Sequence, residues 1–218
     1  MEKGNSFMRT KPVFSLLVSM SVPMMLSMLI QSLYNIVDSI YVSRLGTSAL
    51  TAVSLAYPLQ NAIVSVGVGI GVGISSAISI HLGAGDQEKA DRAATLGVVL
   101  SVFHCILFIL AGIFVTRPFL SLFTSDPAIL KDACDYTYIV LCLSFGALLQ
   151  LAFEKIFQGI GKMKITMYLL IVGCVINIIL DPVLIFGLLG FPAMGVAGAA
   201  IATVIGQISA FLLYIVVY

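Results

Sequence analysis

The sequence predicts an all-α membrane protein built as a bundle of six transmembrane helices. Apolar residues make up 60% of its 218 residues, charged residues only 10%, and the mean hydropathy is +1.13. Soluble proteins carry roughly a quarter charged residues, so a chain of this composition has too much apolar surface to hide from water. Apolar runs of about 20 residues, the length that crosses a bilayer as a helix, recur along the chain.

Six apolar runs reach this length, and each predicts one membrane-spanning helix of a single unit. They cover residues 13–42, 52–81, 92–115, 134–157, 165–188 and 195–218. The first run is longer than the hydrophobic region of a signal peptide, which has roughly 7–15 residues, so we expect it to be retained as a helix. Before the fourth run, Ser125 or Asp126 is expected to cap a short surface helix that begins at Pro127 and extends to Tyr136.

The distribution of basic residues predicts a multi-pass protein of the cell membrane with a cytoplasmic N-terminus. Cytoplasmic loops of such proteins carry an excess of lysine and arginine. With the N-terminus inside, the cytoplasmic side holds Lys3, Arg9, Lys11, Lys89, Arg92, Lys155, Lys162 and Lys164, and the outer side holds Arg44, Arg117 and Lys131.

Several functions are disfavoured by the residues present. No basic cluster is interleaved with aromatic residues and the net charge is only +1, so nucleic acid is not an expected partner. No nucleophile or metal-ligand pattern supports an enzyme, and no cofactor is expected beyond a coupling ion. The sequence GAGD matches a pattern of intramembrane aspartyl proteases, but charged residues follow Asp86, which is therefore expected to be solvated.

Glu154 is interpreted as a solvated or lysine-paired charge. The glycines of VGVGIGVG are interpreted as small residues for close helix packing.

Two aspartates lie deep within apolar runs. Asp38 belongs to SMLIQSLYNIVDSIY in the first run, and Asp181 belongs to NIILDPVLIF in the fifth. An ionised carboxylate near the middle of a bilayer costs roughly 2.5–3.5 kcal/mol on insertion scales, so such residues are candidates for function. Asn177 lies one helical turn before Asp181 on the same helix face.

The first helix also carries a polar stripe. Ser27, Gln31, Tyr34 and Asp38 recur at spacings of four, three and four residues, and Asn35 lies beside them. Such a stripe faces protein or a water-filled cavity, which makes Gln31 and Asn35 candidates for the lining of a substrate cavity. With a rise of about 1.5 Å per residue, Asp181 and Thr203 fall in the outer half of the membrane, where Asp38 is also expected.

Two carboxylates in a shared apolar environment repel each other. One must then hold a proton, or a cation must neutralise both. Asp38, Asn177 and Asp181 are therefore candidate ligands for H⁺ or Na⁺, with the Thr203 hydroxyl as a further oxygen. The alternative is that each aspartate is capped locally and only fixes packing. Pro23 removes one backbone hydrogen bond from the first helix and predicts either a static kink or a hinge.

Four segments resemble the N-terminal half of a multidrug and toxic compound extrusion (MATE) transporter. They are QSLYNIVDSIYVSRLGTSALTAVSLAYP, LGAGDQEKADRAA, FQGIGKMK and NIILDPVLIFGLLGFPAMGVAGAAIAT. The resemblance implies one lobe of a twelve-helix antiporter that exports bulky, often cationic compounds in exchange for H⁺ or Na⁺. It also implies a cation site at Asp38, Asn177 and Asp181 with Tyr34 and Thr203 nearby, and bending of the first helix at Pro23.

The chain stops at Tyr218, where family members continue into a second lobe. The expected partners are therefore the lipid bilayer, small drug-like substrates, and either a C-terminal lobe or a second copy of a lobe. Two alternatives remain: a flippase of the same superfamily that moves a lipid-linked substrate, or a structural membrane subunit that does not transport. Flippase cavities tend to be basic, whereas the polar stripe of the first helix has no basic residue.

Overall fold

The computed structural model describes residues 12–218. Seven α-helices lie within this part of the chain: α1 (Val13–Ser43), α2 (Thr47–Gly83), α3 (Gln87–Leu120), α4 (Pro127–Cys142), α5 (Phe145–Gly159), α6 (Met163–Phe186) and α7 (Gly195–Val217). Five of them are long and apolar enough to cross a membrane, and α4 and α5, which meet at a bend of 46°, count as a sixth span when taken together. The predicted all-α membrane fold is confirmed.

Successive spans run in opposite directions, so the turns between them lie alternately at the two ends of the bundle. The turns before α3 and α6 lie at the end of the bundle where α1 begins, and we refer to it as the predicted cytoplasmic end. Of the basic residues that predict its orientation, Lys3, Arg9 and Lys11 lie outside the described residues. The orientation therefore stays a prediction.

The second and third helices extend beyond the predicted spans because polar residues continue them outside the lipid. α2 begins directly after Gly46, whose φ of +119° is a conformation that favours glycine. α3 begins at Gln87 because the Asp86 side chain accepts a hydrogen bond from the Lys89 backbone N–H at 3.1 Å. The Lys89 ammonium, 2.7 Å from the same carboxylate, holds the pKa of Asp86 below its usual range. Asp86 is thus a charged group outside the membrane, as predicted.

The fourth predicted span is divided into two helices. Hydropathy predicts a continuous helix over 134–157, but Leu143 leaves helical geometry with φ −104° and ψ +20°, and α5 starts in a new direction. The bend brings Gly146 so close to α7 that a Cβ there would lie 2.8 Å from Ile208. α4 also continues to Cys142, past the expected end of a surface helix at Tyr136, because its face with Ala133, Tyr136 and Val140 is buried in the core.

The cap of α4 is Asp126, one of the two predicted candidates. Its Oδ1 accepts hydrogen bonds from the backbone N–H groups of Ala128 at 2.8 Å and Ile129 at 3.3 Å. Replacing Asp126 by Ala removes both acceptors, and we expect a loss of about 1 kcal/mol in the free energy of unfolding. Denaturant unfolding in detergent measures this loss. The Asp126→Asn variant retains a capping oxygen and should stay within a few tenths of a kcal/mol of the parent; equal losses in both variants would contradict the capping role.

Glycines determine which helices approach most closely. Gly67 and Gly71 of α2 face α5, where an added Cβ would meet side chains, whereas Gly69 and Gly73 have no atom within 4 Å. Only half of the predicted small-residue surface on α2 is therefore used for packing within the described residues. Between α6 and α7, a Cβ on Gly198 would lie 2.6 Å from the Leu184 carbonyl oxygen, so these two backbones are in contact.

The first helix is the least embedded element of the bundle. α1 packs mainly against α6, and Pro23 and Val42 are its only buried residues among 13–43. The helix continues through Pro23, and the Ser27 hydroxyl donates to the Pro23 carbonyl oxygen at 2.8 Å. A hinge at Pro23 stays a prediction.

Candidate functional site

The aspartate of α6 is fully buried next to the two residues predicted to accompany it. Asp181 has no exposed surface, and Asn177 and Thr203 are 3% and 4% exposed. The Asn177 Nδ2 donates to Asp181 Oδ1 at 3.3 Å and lies 3.5 Å from Thr203 Oγ1. Thr203 can reach this amide because Gly206, one turn further along α7, lies against Gly173 and Asn177. The structure therefore brings together three of the predicted site residues.

The aspartate of α1 faces the same cluster. Asp38 points towards protein rather than lipid, and its carboxylate lies within electrostatic range of Asp181. Tyr34, one turn earlier, is within electrostatic range of both aspartates. The acidic end of the polar stripe on α1 thus faces α6, which carries Asp181.

Three oxygens of this cluster have no hydrogen-bond partner in the described part of the chain. They are Oδ1 of Asp38, Oδ1 of Asn177 and Oδ2 of Asp181, and all three are shielded from solvent. Buried polar atoms in folded proteins are almost always paired. Two carboxylate oxygens and one amide oxygen form the type of donor set that suits a hard cation such as Na⁺, and a carboxylate can alternatively take a proton. The residues therefore fit either ion.

A cavity of about 240 Å³ lies beside this cluster, between α1, α2, α5, α6 and α7. Its polar lining consists mainly of amides and tyrosines, with one hydroxyl from threonine: Gln31, Tyr34, Asn35, Tyr57, Gln60, Asn61, Gln150, Asn177, Gln207 and Thr203. Gln31 and Asn35 were predicted for this role and line it. Asp38 and Asp181 do not line it, so the cluster of acids and the cavity are adjacent but distinct. The lining residues carry no formal charge.

Two polar residues near the acids, Tyr136 and Gln60, are not predicted as site residues by the sequence. The Tyr136 side chain is buried, its hydroxyl donates to Gln60 Oε1 at 3.1 Å, and it lies within electrostatic range of Asp38 and Asp181. Tyr136 looks like a surface residue because Asp132 and Asp135 precede it. The recurrence of Ala133, Tyr136 and Val140 at helical spacing is the signal that indicates a buried face.

Comparison with known proteins gives one consistent result. The model of the MatE family matches residues 23–183. The probable multidrug resistance protein YoeA of Bacillus subtilis (strain 168) is 36% identical over 199 residues, which are 89% of this chain and 42% of YoeA. The multidrug export protein MepA of Staphylococcus saprophyticus is 28% identical over 207 residues, which are 94% of this chain and 45% of MepA.

Solved structures agree with the sequence relatives. A crystal structure of MATE in the bent conformation superimposes with a TM-score of 0.87 at 33% identity, and the match covers 97% of this chain and 46% of that one. The chain thus spans about half the length of the relatives it matches. The family match, the helical fold and these relatives together show that the chain belongs to the MatE family, the multidrug and toxic compound extrusion family that its sequence resembles.

Proposed function

We propose that this chain is one lobe of a multidrug efflux antiporter that exports bulky, often cationic compounds in exchange for H⁺ or Na⁺. The observation that carries the proposal is the set of three unpaired buried oxygens on Asp38, Asn177 and Asp181. Oxygens buried in this way would be satisfied by a ligand that brings positive charge. The relatives that are named for multidrug resistance and multidrug export support the direction of transport.

The coupling ion would act by changing the charge of the cluster. With both carboxylates ionised and no ion bound, Asp38 and Asp181 repel each other in a water-poor environment. A proton or Na⁺ removes this repulsion and allows α1 to close on α6. Because α1 has little buried surface of its own, the helix can respond to this change, and Pro23 is the position where we expect it to bend.

The substrate would occupy the cavity beside the cluster. Its tyrosine rings, from Tyr34 and Tyr57, can stack on aromatic compounds and attract organic cations, and its amides can donate or accept hydrogen bonds. A neutral lining of this kind favours bulky compounds with delocalised positive charge over anions. Closure of α1 would change the shape of this cavity, because Gln31, Tyr34 and Asn35 of α1 form one of its walls.

The lining of the cavity argues against the flippase alternative. Lipid-linked substrates carry phosphates, which proteins bind with arginine or lysine. The described lining residues contain neither type of side chain. A purely structural role does not explain why three buried oxygens on α1 and α6 have no hydrogen-bond partner, so that alternative also has less support.

Efflux of a fluorescent cationic dye from vesicles tests the proposal. The chain is reconstituted together with its second lobe, and dye movement is followed after a Na⁺ jump and, separately, after a pH jump. We expect one of the two jumps to drive dye movement against its gradient and the other to have little effect. An absence of movement in both arms, with the protein inserted and folded, would overturn the antiport proposal.

A further inference from the structure

A second buried acid lies outside the cluster of Asp38 and Asp181. Glu154 of α5 is only 9% exposed, although its position near the lysines of FEKIFQGIGKMK predicts a solvated or lysine-paired charge. The structure shows the lysine-paired alternative, with Lys155 as the partner, and the pair is buried because α5 is surrounded by α2, α3, α6 and α7. Glu154 and its neighbours have no role in the function proposed above.

Glu154 and Gln158 together hold the ammonium group of Lys155. Gln158 Nε2 donates to Glu154 Oε1 at 2.7 Å, and Lys155 Nζ donates to Gln158 Oε1 at 2.9 Å while lying 3.4 Å from Glu154 Oε1. Both contacts to Glu154 end on Oε1, so neither uses Oε2. The three side chains therefore form a small cation site that is occupied by a cation from the chain itself.

This ion pair does not serve to join helices. Glu154 and Lys155 are neighbours on α5, so their pairing connects no two elements of the bundle. Burying such a pair usually costs more in desolvation than the attraction returns. The pair is buried all the same, with each side chain 12% exposed. A purpose other than packing is therefore needed to explain it.

The glycine pattern of α2 provides the space for this lysine. A Cβ on Gly71 would overlap with Cγ of Lys155, so the stem of the lysine lies directly against the α2 backbone. One turn along, Gly67 receives Leu151 in the same way. α2 therefore holds the Lys155 stem in place while the ammonium reaches Gln158.

The site also continues the lining of the cavity. Gln150 lines the cavity, and Glu154 and Gln158 follow it at spacings of four residues, so all three lie on one face of α5. From Gln150 to Gln158 this polar stripe covers about 12 Å along the helix, in the direction of the predicted cytoplasmic end. A cation that leaves the cavity along this face would meet Glu154 first.

Several other charged and titratable groups lie at this end of the bundle, among them the exposed ion pair of Asp86 and Lys89, and Lys162, whose ammonium lies over the ring of Phe157. Tyr214 of α7 lies within electrostatic range of Glu154, but its hydroxyl donates to the Thr166 carbonyl oxygen at 3.3 Å. His81 of α2, Arg92 of α3 and Lys164 of α6 lie near the same end of the bundle.

We propose that Glu154 and Gln158 form a second site for a small monovalent cation, H⁺ or Na⁺, which enters in exchange for the Lys155 ammonium. This site does not depend on the coupling role proposed for Asp38 and Asp181.

Chemical labelling of Lys155 tests the exchange. The chain in lipid nanodiscs is treated with an amine-acylating reagent, and labelling of Lys155 is measured by peptide mass spectrometry relative to exposed Lys164, which corrects for the pH dependence of the reagent. One series lowers the pH in choline buffer, and a second replaces choline by Na⁺ at constant pH. We expect the Lys155 ratio to rise roughly tenfold in one series, because the released state of such an equilibrium starts as a minor population.

Variants separate ion exchange from a static ion pair. In Glu154→Gln, the labelling of Lys155 relative to Lys164 should already be high in choline buffer at the starting pH, and it should no longer respond to either ion. Glu88→Gln, the same chemical change at an exposed ion pair with Arg92, should respond like the parent chain. The double variant Asp38→Asn, Asp181→Asn should also respond like the parent, which keeps this test separate from the proposed antiport. A flat ratio in the parent chain in both series, or a Glu154→Gln chain that still responds, would overturn the second site.

Discussion

Replacement of Asp181 by Asn in the two-lobe transporter is expected to abolish dye efflux while the protein remains inserted in the membrane. Asn has nearly the same size but cannot take a proton or neutralise a cation, so the proposed charge change that would drive closure of α1 is lost. Asp181 has no exposed surface, and its Oδ2 has no hydrogen-bond partner among the described residues. Asp38→Asn should have the same effect, since the repulsion needs both acids.

Asp91→Asn is the matched control for this prediction. Asp91 lies on the exposed face of α3, where its carboxylate accepts a hydrogen bond from Gln87 at 2.8 Å. Its replacement removes one negative charge from the chain without touching the cluster, and we expect dye efflux at the parent rate. Membrane extraction and size-exclusion profiles of all three variants establish that they fold. Parent-like efflux in both Asp181→Asn and Asp38→Asn would refute coupling at this cluster.

Gly198→Ala is expected to destabilise the lobe by about 1–3 kcal/mol or more, the range for overpacking in a rigid interior. The new methyl group would lie 2.6 Å from the carbonyl oxygen of Leu184 and 2.9 Å from the amide nitrogen of Ile185. Both are backbone atoms, so no side-chain rotation relieves the overlap, and α7 must move away from α6. The same movement withdraws Thr203 from Asn177. Thermal unfolding in detergent should therefore show a lower midpoint for this variant.

Gly69→Ala provides the comparison. Gly69 lies inside α2 with no atom within 4 Å of its would-be Cβ, so the added methyl group meets open space. Alanine is also the better helix former by roughly 1 kcal/mol, so we expect an unchanged or higher unfolding midpoint. If Gly198→Ala unfolded at the same temperature as Gly69→Ala, the close contact of α6 with α7 would not be a source of stability.

The number of spans and the central acids could be predicted because both follow from the cost of placing groups in lipid. Length and hydropathy alone give the six spans. Asp38 and Asp181 stand out because a buried charge in an apolar run needs a reason, and helical spacing adds Tyr34 and Asn177 to them. These inferences use only the local sequence and one periodicity, so they do not require knowledge of the tertiary contacts.

The features that sequence reasoning missed depend on contacts between distant helices. The break at Leu143 lies in an apolar stretch without proline. Ile208, which lies against Gly146 just after the break, is 62 positions away from that glycine. Tyr136 belongs to the site because it reaches Gln60 on another helix. Glu154 is buried because Gly71 of α2 leaves space for the stem of its lysine neighbour. Neutral polar residues, and charges near helix ends, cost less to place in a membrane than a charge at its centre, so they stand out less in the sequence.

The uneven embedding of the helices has a mechanical consequence. α6 and α7 touch backbone to backbone, so we expect them to act as a stiff frame that holds Asp181, Asn177 and Thr203 at nearly constant separation. The remaining acid comes from α1, which has only two buried residues between 13 and 43. If the proposed coupling ion binds between the two acids, we therefore expect α1 to move while α6 and α7 stay in place. Spectroscopic probes on α1 would then register the ion, while identical probes on α7 would serve as a stationary reference.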